Sequence, residues 1–193
     1  MCGRYSIVTP PKELAAYFGL LPPEEFFKGT PDARPTQTLP IVIDEDPKRI
    51  IMGHWGYPMK IGGAEKELIN TRTETIKEKP FMRKAAEQHR CIILTDGFYE
   101  WKSEADKKQK IKFTYENQPM ALAGIYQWKT KSMSDDKMPF FSIITTTPNS
   151  DVAPIHDRMP VILSGDIEAW LRSPMNVDLL VPFSKHLVLS NSS

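Results

Sequence analysis

Seventeen prolines and ten glycines are spread along the whole 193-residue chain. Each proline removes a backbone donor and ends or kinks a helix, so a chain punctuated this often is cut into short elements and excludes a helical bundle. Strands should dominate. Short runs rich in β-branched and aromatic residues predict strands at Arg4–Val8, Leu39–Ile43, Ile50–Trp55, Cys91–Trp101, Ile111–Tyr115, Met120–Tyr126, Phe140–Thr146 and Val161–Leu163. Helices are predicted at Pro11–Phe18, capped by Thr9, at Ile76–Glu87, and at Asp166–Leu171 after Ser164 and Gly165. This pattern is that of an α+β protein with much loop.

The length suits one domain spanning residues 1–193 and permits a substantial core. Lysines gather in Lys102–Lys112, and Lys129–Lys137 mixes charge with serine; both read as hairpin tips or loops, and the polar end Ser190–Ser193 reads as frayed. With 25 basic against 24 acidic residues there is no basic excess of the kind that coats a duplex, so any nucleic-acid site must be a local patch. Two cysteines, one of them second in the chain, make a poor disulfide framework and suit a reducing cytoplasm. They also assemble no plausible metal cluster. Neither a signal peptide nor eighteen consecutive apolar residues is present, so a cytoplasmic chain without a membrane partner is expected.

Cys2 is the residue with the most distinctive chemistry. Removal of Met1 leaves one residue bearing both an α-amine and a thiol, with ordinary pKa values of about 8 and about 8.5. An aldehyde is the natural target: the amine forms a Schiff base and the neighbouring thiol closes a five-membered thiazolidine. Position alone also allows an incidental small residue at a mobile terminus, and Cys91, before Ile92-Ile93-Leu94, reads as a buried inert thiol.

In Asp96-Gly97-Phe98-Tyr99-Glu100-Trp101, strand alternation places Asp96, Phe98 and Glu100 on one face, and a carboxylate among aromatics is a candidate proton shuttle. Ile155-His156-Asp157-Arg158-Met159-Pro160 sets an imidazole, a carboxylate and a guanidinium in one proline-bounded loop. Asn70-Thr71-Arg72-Thr73-Glu74-Thr75 is placed to cap the helix expected after it and offers an amide and a guanidinium to a sugar or phosphate. Taken singly, a half-buried strand, a solvated histidine and a helix cap are the default explanations of these segments. His54, His89 and His186 share no motif.

Together, and in this order, Met1-Cys2-Gly3-Arg4-Tyr5, Pro35-Thr36-Gln37, His54-Trp55-Gly56, Asn70–Thr75, Asp96–Trp101, Ala123-Gly124-Ile125-Tyr126 and Ile143–Leu163 resemble the motifs of the SRAP family, the SOS-response-associated peptidases or abasic-site processing proteins. The resemblance covers roughly residues 1 to 184. It implies a mostly antiparallel, barrel-like core with a few short helices. It also implies binding of single-stranded DNA carrying abasic sites, or of single-strand to double-strand junctions, with a thiazolidine cross-link formed by Cys2.

By the same resemblance Asn70 holds the amino-terminal nucleophile or the sugar, Glu100 assists ring opening and proton transfer, and His156 helps proton transfer and reversal. Arg4, Arg72 and Arg158 match phosphate-binding positions, and Trp55 and Trp101 match base-stacking ones. Cofactors and metals are not implied, a monomer is expected, and autopeptidase and lyase activities accompany the reading. The chain departs from the family pattern at Asp32, where asparagine is usual, at Leu94-Thr95, at Tyr57–Lys60 and after Lys185. An altered DNA groove, a missing stacking residue and an altered or absent C-terminal strand are therefore expected. Two alternatives use the same residues: an N-terminal-cysteine peptidase acting on other proteins, and a non-covalent single-stranded DNA-binding module.

Overall fold

A computed structural model describes residues 2–192 apart from 25–26, 105–106, 131–136, 164–166 and 173. The chain opens with β1 (Tyr5–Ile7) and α1 (Pro11–Phe18), then runs through β2 (Thr30–Ala33), β3 (Thr38–Ile43), β4 (Asp46–Trp55), β5 (Tyr57–Ile61), β6 (Ala64–Leu68) and β7 (Asn70–Arg72). Two helices follow, α2 (Thr73–Glu78) and α3 (Pro80–Gln88). Next come β8 (Arg90–Thr95), β9 (Gly97–Glu104), β10 (Lys107–Thr114), β11 (Met120–Thr130) and β12 (Lys137–Thr146). The last elements are β13 (Met159–Pro160), β14 (Ile162–Leu163), α4 (Ile167–Arg172), a 3-10 turn at Val177–Leu179 and β15 (Val188–Ser192).

The β-branched runs predicted as strands build a closed ring in which β12 pairs with β4, β4 with β3, β3 with β8, β8 with β11, and β11 back with β12. All these pairings are antiparallel except β12 with β4. A ring this small is filled by its own side chains, and Ile41, Ile93, Leu122, Phe141 and Ile143 are buried. Gly124 is required by the tightness of the wall: a Cβ there would come within 2.5 Å of Ile93 Cδ1 and 2.8 Å of Cys91 Sγ. Where β4 ends, β7 takes its place beside β12, pairing Asn70 with Ile143, and the β5–β6 hairpin leaves the ring between them. A second sheet runs β15-β10-β9-β1-β2.

The junction between the sheets corrects one prediction. Cys91–Trp101 is two strands, because the chain turns a corner at Asp96 and Gly97, β8 remaining in the ring and β9 entering the second sheet. Gly97 has φ +155, and a Cβ there would lie 2.7 Å from the Phe113 carbonyl. Asp96 thereby lies at the corner, outside the strand that carries Phe98 and Glu100. Its carboxylate accepts the backbone N–H of Val8 and of Thr9 and the hydroxyl of Thr9, tying the lead into α1 to the corner. Thr9 therefore does not cap α1; Pro10 occupies the cap position without a side-chain bond.

Three further expectations change. The single helix at Ile76–Glu87 is two, since Pro80 forces Lys79 into an extended conformation, φ -102 and ψ 110, and starts α3 afresh. The lysine-rich stretch at Lys102–Lys112 belongs largely to the paired strands β9 and β10, its tip at 105–106 lying outside the described residues. The stretch at Lys129–Lys137 likewise falls mostly outside them. The described part of the tail is neither frayed nor missing a strand, Ser193 lying outside the described residues: Val188–Ser192 pairs along β10 from Thr114 to Lys110, covering an edge whose donors and acceptors would otherwise be bare. Ser164, Gly165 and Asp166 lie outside the described residues, and α4 is described from Ile167.

Candidate functional site

The two sheets meet at one end, and each brings two of the four expected chemical residues to that seam. Cys2 leads into β1 and Glu100 lies on β9, both in the second sheet; Asn70 opens β7 and His156 sits in the loop from β12 to β13, both attached to the ring. Asn70 Nδ2 donates to the Cys2 carbonyl at 2.8 Å, and His156 Nε2 lies 3.7 Å from Glu100 Oε2. The Asn70 amide oxygen is sealed from solvent and accepts no hydrogen bond from a described residue. It is an acceptor in waiting beside Cys2.

Burial sets the electrostatics. Cys2 is 0% exposed, and burial pushes its thiol well above the ordinary range, with the Glu100 charge adding to the effect. The thiol is therefore protonated at neutral pH. Glu100 is 2% exposed and is pushed up to about 7 by burial, the Asp157 charge acting in the same sense. A carboxyl group poised there can give or take a proton under physiological conditions. His156 is held below its ordinary value by desolvation, and its Nδ1 accepts the backbone N–H of Arg158 at 3.0 Å. A neutral ring with that acceptor carries its proton on Nε2, the nitrogen facing Glu100.

The residues expected to hold DNA divide. Trp55 does not stack on a base: it is 0% exposed, and its indole N–H donates to the Ile69 carbonyl at 2.9 Å, immediately before Asn70. Its ring lies 5.2 Å from Tyr5 and 6.3 Å from Phe141, so it forms the floor under the seam. Arg158 is equally committed to the protein, its side chain 9% exposed, with Nη1 and Nη2 on the Glu74 carboxylate at 2.7 and 3.0 Å and Nη2 also on the Thr145 carbonyl at 2.6 Å. That fork ties α2 to β12 beneath the His156 loop and leaves little for a phosphate. Arg72 is exposed at the start of α2, Trp101 is half-buried, and Arg4 is paired with Asp32 at 2.7 Å.

Sequence reasoning missed the surroundings of Arg4. A groove of about 750 Å³ runs from it between β2 and the β9–β10 ribbon, lined by Arg4, Asp32, Arg34, Trp101, Lys107 and Lys108 among others. The lysine run was a signal, but only the pairing of β10 with β9 shows that it faces Arg4 across a cleft rather than water on all sides. Among the described residues no group of three or more His, Cys, Asp or Glu is placed to hold a metal, and no helix is long and apolar enough to cross a membrane.

The family model described as SOS response associated peptidase (SRAP) matches residues 1–188. The abasic site processing protein YoqW of Bacillus subtilis is 35% identical over 188 residues, covering 92% of this chain and 83% of its own. YoaM of the same organism, also named an abasic site processing protein, is 36% identical over 204 residues, covering 95% and 86%. An X-ray structure of a protein from Bacteroides thetaiotaomicron shares the fold, with a TM-score of 0.84 at 23% identity over 98% of this chain and 91% of that one.

Proposed function

Given that the chain belongs to the SRAP family, we propose that it processes abasic sites in DNA, capturing them covalently through Cys2 in single strands or at single-strand to double-strand junctions. The observation that carries the reading is the bond from Asn70 to Cys2 beside the close pair Glu100 and His156. Cleavage of the Met1–Cys2 bond, by the chain's own Glu100 and His156 or by a methionine aminopeptidase, creates the α-amine that the chemistry needs.

The protonated state of the thiol orders the steps. The amine, with an ordinary pKa of about 8, is the stronger nucleophile at the outset. It adds to the C1′ aldehyde of the ring-opened sugar, giving a carbinolamine. Loss of water, with Glu100 delivering a proton to the departing hydroxyl, leaves a Schiff base. The Cys2 sulfur then adds to the imine carbon while its proton passes to the nitrogen, closing the thiazolidine without an oxidant or reductant. His156, with its Nε2 proton facing Glu100, serves the opening of the sugar and the reverse reaction. Asn70 fixes Cys2 through its carbonyl and offers its amide oxygen to the amine.

Arg4, Arg72 and Trp101 are the phosphate and base contacts of this reading, and the protein acts as a cytoplasmic monomer that joins the nucleoid when on DNA. The test is a denaturing gel of the processed protein with a single-stranded oligonucleotide bearing one abasic site. A heat-stable, slow band that needs both the lesion and Cys2 is expected. The same band formed by Cys2→Ala would exclude the mechanism.

A further inference from the structure

Asp32 stands in the basic groove with more donors on one oxygen than a carboxylate oxygen can use. Arg4 Nη1 at 2.7 Å, Arg34 Nε at 2.9 Å and Arg34 Nη2 at 2.6 Å all converge on Oδ2. The other oxygen, Oδ1, is sealed from solvent and accepts no hydrogen bond among the described residues, with Lys110 Nζ 3.7 Å away. Two guanidinium groups on one carboxylate oxygen and an ammonium nearer the other, with Lys107 and Lys108 farther along the same groove, make an arrangement for an anion with several oxygens spread in space. A tetrahedral phosphodiester, with two non-bridging oxygens, fits those donors better than a planar carboxylate that leaves one oxygen empty.

We infer that Asp32 is an internal stand-in for a DNA phosphate, a specificity-determining residue that occupies the Arg4–Arg34–Lys110 cluster and lowers the groove's affinity for any strand lacking a reactive lesion. This rests on the proposed DNA reading and deepens it. A phosphodiester entering the cluster must displace the carboxylate from the guanidinium groups or tolerate its charge close by. Intact strands, held only by such contacts, are weakened most. An abasic strand is retained by the covalent bond that forms after encounter, so the same repulsion favours lesion over intact DNA.

The experiment compares wild type with Asp32→Asn and Asp32→Ala, using anisotropy of a labelled oligothymidylate over a range of salt concentrations. Both variants are expected to bind about three- to tenfold tighter at low salt, as removal of one unit charge a few ångströms from a phosphate implies near a protein surface. The dependence of log K on log salt should steepen by up to about one unit, because cations freed from Asp32 then release counterions. Intact strand should also compete with abasic strand for cross-linking at correspondingly lower concentration. Variants with native-like melting that bind equally or more weakly while wild type still cross-links would make Asp32 a brace for Arg4 and overturn the inference alone. Wild type that neither binds nor cross-links would overturn the DNA reading and the inference with it.

Discussion

The carboxylate of Asp157 lies 3.0 Å from His156 Nδ1, the same nitrogen that accepts the backbone N–H of Arg158 at 3.0 Å. The two partners ask for opposite states: the amide needs a bare nitrogen, the carboxylate a protonated one. The neutral ring satisfies the amide, and Asp157 is placed to receive the ring once it takes a second proton.

Asp157→Asn should therefore lower the His156 pKa further, since the carboxylate favours the charged ring. Asp157 is 87% exposed, so water screens the pair and the effect should be small. An NMR titration of the His156 ring reads it directly, and an unmoved or raised midpoint would show that the contact carries no charge coupling.

Glu100 gives a stability signature of opposite sign to that of an ion-paired carboxylate such as Glu74. Its folded value of about 7 lies above its usual 4.5, so the folded chain keeps a proton that the unfolded chain releases. Its contribution is fully present below about pH 4.5 and is lost as the pH rises through 7. Glu100→Gln, which stays neutral, should gain on wild type by about 2 kcal/mol between pH 5 and pH 8, read as a widening difference in Tm. A constant difference would mean that Glu100 titrates as though exposed.

Trp55→Phe keeps most of the ring and deletes the donor to Ile69. The Ile69 carbonyl keeps the backbone N–H of Ile143 at 3.1 Å, so the loss is that of one hydrogen bond, about 0.5–1.5 kcal/mol, next to Asn70. The expected result is a lower melting temperature and slower cross-linking with unchanged affinity for intact single-stranded DNA. Lost affinity with an unchanged melt would instead restore Trp55 as a stacking residue.

Arg158 holds the Glu74 carboxyl down at about 2, chiefly through its hydrogen bonds. That contribution is present above the ordinary 4.5 and lost as pH falls toward 2, so acid should weaken wild type more than Glu74→Gln over that window. Arg158→Ala should destabilise at neutral pH by roughly 2 kcal/mol, because a nearly buried fork between α2 and β12 is removed. Chemical denaturation of both variants across pH 3 to 7 checks the pair.

Much of the fold was legible because apolar periodicity and proline position are local signals. Pro11–Phe18 forms the helix that its prolines and apolar spacing announce, and the runs around Ile41, Ile93, Leu122 and Ile143 are the ring. The unread strands, Ala64–Leu68 and Asn70–Arg72 among them, are short and polar; they are strands because a partner supplies the ladder, as β12 does for Asn70. Pro80 and Gly97 carried the missing breaks in plain sight, yet strand alternation through Asp96 gave no hint that the chain changes sheets there.

The clustering of the four candidate chemical residues was more legible than the surroundings of the candidate binding ones. Cys2, Asn70, Glu100 and His156 come together as a group, and their recognition rested on motif order rather than spacing. Trp55 and Arg158 show the limit: an aromatic ring suits a core as well as a base, and a guanidinium suits a carboxylate as well as a phosphate. Only burial and partners separate those fates.

The division of the site between two sheets makes the proposed reaction a proofreader of the protein itself. A chain in which the ring has formed but the second sheet has not docked keeps Asn70 and His156 on one body and Cys2 and Glu100 on another, joined through the corner at Gly97. Such a species carries every reactive group and has no reactive site. Commitment to a DNA strand is thereby reserved for molecules whose two halves have closed, and cross-linking yield becomes a census of how many have done so.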